Sequence, residues 1–384
     1  MNSDTQPVVL FIPSDLKTLS RRLEDRGIAI YLVGGAVRDA VLGFEPDDYD
    51  LATEVQPDTI VFALLDYPGY KVLEIGKAFG VITVITPEGG EYQIATFRRD
   101  VGEGRRPESV EFTSIEVDVA RRDFTINALF YNMNTGKILD FVGGITDLKN
   151  GVVKTVGNPI ARFREDRLRI LRAIRFCSKS CFALDEETSQ AIKSDPTLTG
   201  ISGERIRAEF MKGLEFSERP EKYLNCLADH GLMNEVFPGF KGVKNSHFLP
   251  TNHTPFQLVH LLGMNERKFL LAQLNKVNYT GDEVAEVGFF YDFRNLNPEN
   301  AARLKRQAAK FNINDVAKLL EFGDLFQMER LLVAAFVGFK LNVTGEALQA
   351  EGFCGKQLCA EMERREQENF LKHYNSVVQK YSQE

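Results

Sequence analysis

Apolar residues fall in short blocks over the first 150 positions and at helical spacing beyond them. Leu16, Leu19 and Leu23 follow Pro13 and Ser14 at intervals of three and four, which predicts a helix with one apolar face. Residues 28–33 are apolar and read as a buried strand. Gly34 and Gly35 allow a sharp turn, residues 36–42 suffice for a short helix, and Gly43 stops it. Residues 49–53 read as a second strand. Residues 81–85 and 92–96 run apolar or alternate about a turn at 87–90, the pattern of a hairpin. Residues 98–107 are polar and aperiodic, so an exposed, mobile loop is expected, and 110–113 returns to strand character. Residues 126–132 and 138–141 predict another strand pair, with Gly143-Gly144 as a tight turn.

From about residue 163 the period becomes helical. Leu168, Leu171 and Ile174 share one side of an amphipathic helix across 165–176, and Ile206, Phe210 and Leu214 repeat the pattern after Ser202-Gly203. The remainder is mostly helical, with breaks near Pro238, Pro250 and Pro298. The expected architecture is a mixed α/β domain followed by all-α units.

At 384 residues the chain exceeds one ordinary domain. A net charge of −7 excludes a wholly basic nucleic-acid coat but leaves room for local basic patches. The five cysteines are odd in number and fit no common zinc spacing, so buried free thiols of a reducing, cytoplasmic compartment are expected. Residues 1–7 are polar without an apolar signal core, and the longest apolar run, 331–339, is nine residues, too short for a membrane span. The five histidines form no His-Asp dipeptide, so no phosphohydrolase-type metal centre is expected. Arg303, Lys305, Arg306 and Lys310 read as a solvated helix face, with nucleic-acid-backbone contact as the functional alternative.

The candidate chemistry begins with Asp48 and Asp50. On a strand they project from one face, and two adjacent carboxylates repel unless a cation sits between them. Hard oxygen ligands of this kind suit Mg²⁺ shared with phosphates; the plain alternative is a solvated strand edge. Arg121 and Arg122 suit triphosphate oxygens, because guanidinium donates in a fork, and Asp123 and Asn127 can bond ribose hydroxyls. The alternative there is a surface helix start capped by Asp123. Asp166 and Arg169, three apart, are either a surface ion pair or an acceptor and donor that together imitate a base edge.

Residues 32–53 resemble the first signature of the class II tRNA nucleotidyltransferase and bacterial poly(A) polymerase superfamily, a branch of the DNA polymerase beta-like nucleotidyltransferases. Residues 121–129 resemble its second motif, 140–148 its flexible hinge, 165–176 its base-reading segment and 203–210 its last motif. The resemblance spans about 28–214. It implies an α/β catalytic head at 1–150, a helical neck with the base-recognition helix at 151–215, a helical body at 216–300 and a putative tRNA-binding tail at 301–384. It further implies that Asp48 and Asp50 hold two Mg²⁺ ions and that Gly35, Arg38 and Arg122 hold the triphosphate. Asp166 and Arg169 would act as an amino-acid template, with further nucleotide contacts from Arg172 and Arg175. Glu204 and Arg205 would be structural. A third carboxylate is left open between Glu91 and the amide Gln93. Arg105-Arg106-Pro107 resembles the end of the family's nucleotide-switching loop, which favours addition of C, C and A to tRNA from CTP and ATP. Poly(A) synthesis, addition of A alone, and a catalytically silent RNA-binding or nucleotide-sensing protein are the competing readings.

Overall fold

The computed structural model describes residues 10–101, 109–178, 182–215, 220–239, 253–262 and 266–382. The chain divides into two compact units, residues 1–201 with 217–232, and 202–216 with 233–384.

The first unit is built on a mixed sheet. Its elements begin α1 (Ser14–Glu24), β1 (Tyr31–Val33), α2 (Gly35–Val41), β2 (Leu51–Thr53), α3 (Pro57–Leu64), β3 (Lys71–Leu73), β4 (Val81–Ile85) and β5 (Glu91–Thr96). They continue β6 (Arg98–Val101), β7 (Ser109–Phe112), α4 (Ile115–Ala120), β8 (Leu129–Asn132), β9 (Lys137–Asp140), α5 (Gly144–Lys149) and β10 (Val152–Val153). After these come α6 (Pro159–Glu165), α7 (Leu168–Cys177), β11 (Ala183–Leu184) and α8 (Glu186–Ser194). Helix α9 (Gly203–Glu215) belongs to the second unit, and α10 (Pro220–Asp229) returns to the first.

The seven-stranded sheet runs β3-β4-β5-β2-β1-β8-β9. Only β2 and β5 pair in parallel, with Leu51 beside Ile94; the other neighbours are antiparallel. Helix α1 buries Leu16, Leu19 and Leu23, as its spacing predicts. Val33, Ala52, Phe97, Val119, Ala128, Phe130 and Val156 form an apolar cluster where β1, β2 and β8 meet the C-terminal end of α4.

The hairpin at 81–96 and the short helix stopped by Gly43 follow the sequence pattern. Several boundaries differ. Strand β1 begins at Tyr31 rather than residue 28. Residues 98–101 are not loop: β6 pairs with β7 in a separate ribbon, with Arg98 opposite Phe112 and Val101 opposite Ser109. A two-stranded ribbon needs no buried face, so polar, aperiodic residues can form it. Residues 102–108, with Arg105, Arg106 and Pro107, lie outside the described residues. The tight turn between β8 and β9 falls at 133–136, where Gly136 has φ +68°. Gly143 and Gly144 instead start α5, and the Asp140 carboxylate accepts from the amides of Val142, Gly143, Gly144 and Ile145. The helix expected across 165–176 breaks at Asp166, which is extended (φ −147°, ψ 105°), leaving α6 and α7.

The second unit is helical. After α9 it holds α11 (Met233–Val236), α12 (Thr254–Leu262), α13 (Arg267–Lys276), α14 (Gly281–Phe293), α15 (Ala301–Lys310), α16 (Val316–Leu325), α17 (Arg330–Gly338), α18 (Gly345–Ala350) and α19 (Gly355–Tyr381). Its core is aromatic: Phe256, Phe289, Phe290, Phe293, Phe322 and Phe336 are fully buried and meet at ring-centroid distances of 4.8–6.4 Å. The basic residues of α15 are not one solvated face. Lys305 donates to the carbonyls of Phe336 and Val337, where α17 leaves acceptors open, and Arg306 pairs with the buried Glu366. Among the described residues no helix is long and apolar enough to cross a membrane. Cys354 and Cys359 are exposed rather than buried, since they sit at the start of α19, whose polar face is wide. Cys181 and His247 lie outside the described residues.

Candidate active site

The β1–α2 junction requires glycine. Gly34 has φ +68° and ψ −127°, a conformation a Cβ makes costly, and it lets the chain pass directly from β1 into α2. Two arginines lie against the turn: a Cβ on Gly34 would stand 3.8 Å from Arg122 Nη1, and one on Gly35 3.6 Å from Arg38 Nη2, both ordinary contact distances.

Asp48 and Asp50 stand in the extended lead-in to β2 rather than within it. The alternation still holds, because the Asp50 carbonyl accepts from Val33 N at 3.0 Å and extends the ladder backwards. Between them Tyr49 turns the other way and donates its hydroxyl to Phe11 O at 2.8 Å. Both residues are exposed by surface area, although the fold partly encloses Asp50. Burial against the fold and repulsion from Asp48 push the Asp50 carboxyl above its ordinary range, while Arg122 pulls it back. An under-compensated carboxylate pair with a guanidinium in range is a donor set for a hard divalent cation and a polyphosphate. The parallel register places Gln93 at the level of Asp50 and Glu91 two residues away, so a third carboxylate is not supplied at that level by β5.

Arg122 is fixed by a residue the sequence reading missed. Asp118, in the last turn of α4, is buried and accepts from both neighbouring arginines. Its Oδ1 takes Arg121 Nε at 3.0 Å and Nη2 at 2.7 Å; its Oδ2 takes Arg122 Nε at 3.2 Å and Nη2 at 3.1 Å. The signal lies in the spacing: an acid three and four residues before two arginines is on their side of a helix. Arg122 also lies over the Phe130 ring at 4.5 Å.

A chain of polar contacts joins the glycine turn to α7. Arg38 forks onto Asp39 at 2.7 and 2.8 Å and donates to Asn127 Oδ1 at 2.8 Å. Asn127 Nδ2 donates to Asp123 Oδ1 at 3.2 Å, and Asp123 Oδ2 receives Arg172 Nε and Nη2 at 2.8 and 2.6 Å. Burial pushes the Asp123 carboxyl up, but Arg172, the Phe124 amide and Asn127 together hold it below its ordinary value. Arg38, Arg172 and Arg175 all lie over the Phe176 ring, at 5.1, 5.6 and 4.4 Å.

The structure therefore gathers Gly35, Arg38, Arg122, Asp123, Asn127 and Arg172 into one group and brings Asp50, with Asp48 acting on it, within the electrostatic reach of Arg122. It does not pair Asp166 with Arg169 as helix neighbours. Asp166 Oδ1 accepts from Leu168 N at 3.1 Å, while Arg169 donates to Glu165 at 2.6 Å and to the carbonyls of Arg162 and Arg121 at 3.1 and 3.0 Å. The extended residue at 166 is the reason, since it rotates the Asp166 side chain off the face that Arg169 occupies. Thr125 Oγ1 donates to Asp147 at 2.6 Å, and Gly144 leaves no room for a Cβ, 2.2 Å from the Thr125 carbonyl. The hinge-like segment is thereby anchored to the turn that carries Asn127.

Comparison with known proteins shows the family. The family described as "Poly A polymerase head domain" matches residues 30–154, and "Probable RNA and SrmB- binding site of polymerase A" matches 181–243. A CCA-adding enzyme of Lactobacillus helveticus is 36% identical over 319 residues, covering 78% of this chain and 77% of that one. A CCA-adding enzyme of Bacillus pumilus is 37% identical over 267 residues, covering 65% of this chain and 63% of that enzyme's length. The fold is that of the Bacillus stearothermophilus CCA-adding enzyme solved with CTP (TM-score 0.69, 24% identity, 97% of this chain and 99% of that one). It is also that of the Thermotoga maritima CCA-adding enzyme complexed with tRNA (TM-score 0.62, 22% identity, 97% and 96%). On the strength of the curated relatives, this chain belongs to the family of CCA-adding enzymes, which are tRNA nucleotidyltransferases.

Proposed function

We propose that this protein completes the 3′ ends of tRNA, adding C, C and A from CTP and ATP with release of pyrophosphate and without a nucleic-acid template. The observation that carries the reading is the meeting of a like-charged carboxylate pair, Asp48 and Asp50, with Arg122 at a glycine turn that also abuts Arg38. The curated CCA-adding relatives and the solved relatives bound to CTP, ATP and tRNA support it.

Asp48 and Asp50 would hold Mg²⁺: burial first and then repulsion from Asp48 raise the Asp50 pKa, and a bound cation would offset both. When bound, the metal lowers the pKa of the RNA 3′-hydroxyl and neutralises the leaving pyrophosphate. Gly35 lets the backbone approach the triphosphate, and Arg38 and Arg122 bind its oxygens in orientations set by Asp39, Asn127 and Asp118. The 3′-oxygen attacks the α-phosphorus in line, and the held arginines contribute by positioning and by offsetting charge. Asp123 and Asn127 face the ribose. Because their polar atoms already bond Arg172 and Arg38, a bound nucleotide either adds to this network or displaces part of it. Asp166 and Arg169 supply the acceptor and donor that read the base, with Arg172 and Arg175 beside them; for this Arg169 exchanges its Glu165 contact for the base edge. The catalytic head is residues 1–150, followed by neck, body and a tRNA-binding tail in the ranges the resemblance gives.

The test is incubation with Mg²⁺, CTP, ATP and a tRNA transcript lacking its 3′ end, followed by end sequencing. C-C-A addition and a stop is the expected product. A second reading, poly(A) synthesis, is favoured by the description of the family matching residues 30–154. A long adenosine tail would establish it, and a single A added only to tRNA ending in CC would mark an A-adding specialist.

A further inference from the structure

A second reactive cluster lies in the first unit, away from the carboxylate pair. Cys177, the last residue of α7, and Cys226, on α10, face each other with Sγ atoms 3.0 Å apart. Helices α7 and α10 pack together. Both border a cleft of about 430 Å³ lined also by Phe182, Leu184, Lys222 and Asp229, but Cys177 is only 2% exposed, whereas Cys226 is half-buried. One turn along α10, His230 Nδ1 stands 3.8 Å from Cys226 Sγ. Its ring is held at both ends: Nδ1–H donates to Cys226 O at 2.7 Å, and Nε2 meets Ser189 Oγ at 3.0 Å.

A hydrogen bond from the Cys177 thiol pulls the Cys226 thiol down, burial opposes it, and His230 adds to the lowering, for a net pKa of about 6. The same contact and burial push Cys177 up. Cys226, beside His230 and the less buried of the two, is therefore the more acidic sulfur, and Cys177 is the more deeply enclosed one. That asymmetry separates an attacking sulfur from a resolving one. A metal site does not account for the cluster, since no group of three possible ligands is present among the described residues.

We propose that Cys177 and Cys226 are a reversible redox pair in which a hydroperoxide oxidises Cys226 and Cys177 then closes a disulfide between α7 and α10. In the first step the Cys226 thiolate attacks a peroxide oxygen. An S–O bond forms, the O–O bond breaks, and the leaving hydroxide (or alkoxide) takes a proton from solvent. In the second step Cys177 sulfur attacks the sulfenic sulfur. The S–S bond forms, the S–O bond breaks, and the hydroxide leaves as water with the Cys177 proton. The two thiols lose two electrons and the peroxide gains them. Closing the Sγ–Sγ gap to a disulfide bond requires about 1 Å of movement, within side-chain rotation. The inference does not depend on the nucleotide chemistry proposed above, but the bond would fasten the C-terminal end of the helix that carries Arg169, Arg172 and Arg175.

The experiment uses the reduced full-length protein, treated with hydrogen peroxide, alkylated, and analysed by intact mass and non-reducing peptide mapping. The expected product is about 2 Da lighter, linked Cys177 to Cys226, and restored by dithiothreitol. Its melting temperature should rise by a few degrees, as for a cross-link closing a long loop. Cys177→Ser should leave a Cys226 sulfenic acid that dimedone traps, and Cys226→Ser should slow peroxide consumption about tenfold or more. Cys181→Ser should still form the link. Absence of any link in the wild-type map, a link through Cys181, Cys354 or Cys359 instead, or unchanged peroxide consumption in Cys226→Ser would overturn the proposal.

Discussion

Replacing Asp118 by Asn tests whether the arginine pair at the site is held by a buried charge. Asp118 is 1% exposed, and both its oxygens are occupied by guanidinium donors, with a further contact from Arg98 N at 3.3 Å. The asparagine keeps one acceptor but turns an NH₂ toward one arginine and removes the carboxylate onto which both fork. Arg121 is the less costly loss, because its side chain is 29% exposed; Arg122 is only 18% exposed. Burial already lowers the Arg122 pKa even with Asp118 opposing it. Breaking a buried pair from one side costs roughly 3–5 kcal/mol, and the retained acceptor puts Asp118→Asn at the lower end, about 3 kcal/mol. Hydrogen exchange of the β1 and β8 amides reads this as a drop in local opening free energy. The double variant Asp118→Asn/Arg122→Gln removes the guanidinium that has lost its fork as well. It should recover at least half of the loss in stability, a coupling of roughly 1.5 kcal/mol or more, while nucleotide KM stays raised about tenfold or more. Additive losses in the double variant, or a single-variant cost below about 1 kcal/mol, would refute the reasoning.

Asp50→Asn should abolish nucleotidyl transfer while leaving the fold intact. Asp50 has a folded-state pKa above the unfolded value of 3.8, so its charge opposes folding as pH rises past that value. The variant should lose this pH dependence and gain a little stability, less than about 1 kcal/mol because solvent screens the pair; normal transfer, or a less stable variant, would contradict the metal-site reading. Gly34→Ala should cost about 1–3 kcal/mol, from the backbone conformation rather than a clash, since the nearest non-local atom is 3.8 Å away; an unchanged thermal midpoint would show that the turn tolerates a side chain. For Asp123 the sign is opposite. Its folded-state pKa is lowered, so its contribution is complete above the unfolded value near 3.8 and is lost as pH falls through the lower folded value. Asp123→Asn should therefore be about 3 kcal/mol less stable at neutral pH and show a flatter acid-unfolding curve. Arg169→Ala should damage the choice between CTP and ATP more than triphosphate affinity; equal use of all four ribonucleotides by the unmodified protein would defeat the base-reading assignment.

The sequence by itself determined the elements whose signal is local. The apolar spacing of α1, α7 and α9, the hairpin of β4 and β5, and the glycine turn with its two aspartates could all be read before any contact was known. These follow from the steric limits on Cβ and from the periods of helix and strand, which nearby residues alone satisfy. The ribbon of β6 and β7 could not be read, because polar residues in a pair with no buried face carry no period. The break at Asp166 was hidden too, because Glu165, Arg167, Leu168 and Arg169 around it are all good or ordinary helix residues, although an Asp that bonds the Leu168 amide suits a helix start. The tertiary structure alone decided which charge meets which. Arg172 reaches Asp123 across 49 residues, Arg38 reaches Asn127 across 89, and Cys177 reaches Cys226 across 49. A guanidinium buried by folding must find a carboxylate, but the sequence names many; the packing of α2, α4 and α7 against the sheet selects Asp39, Asp118 and Asp123 among them.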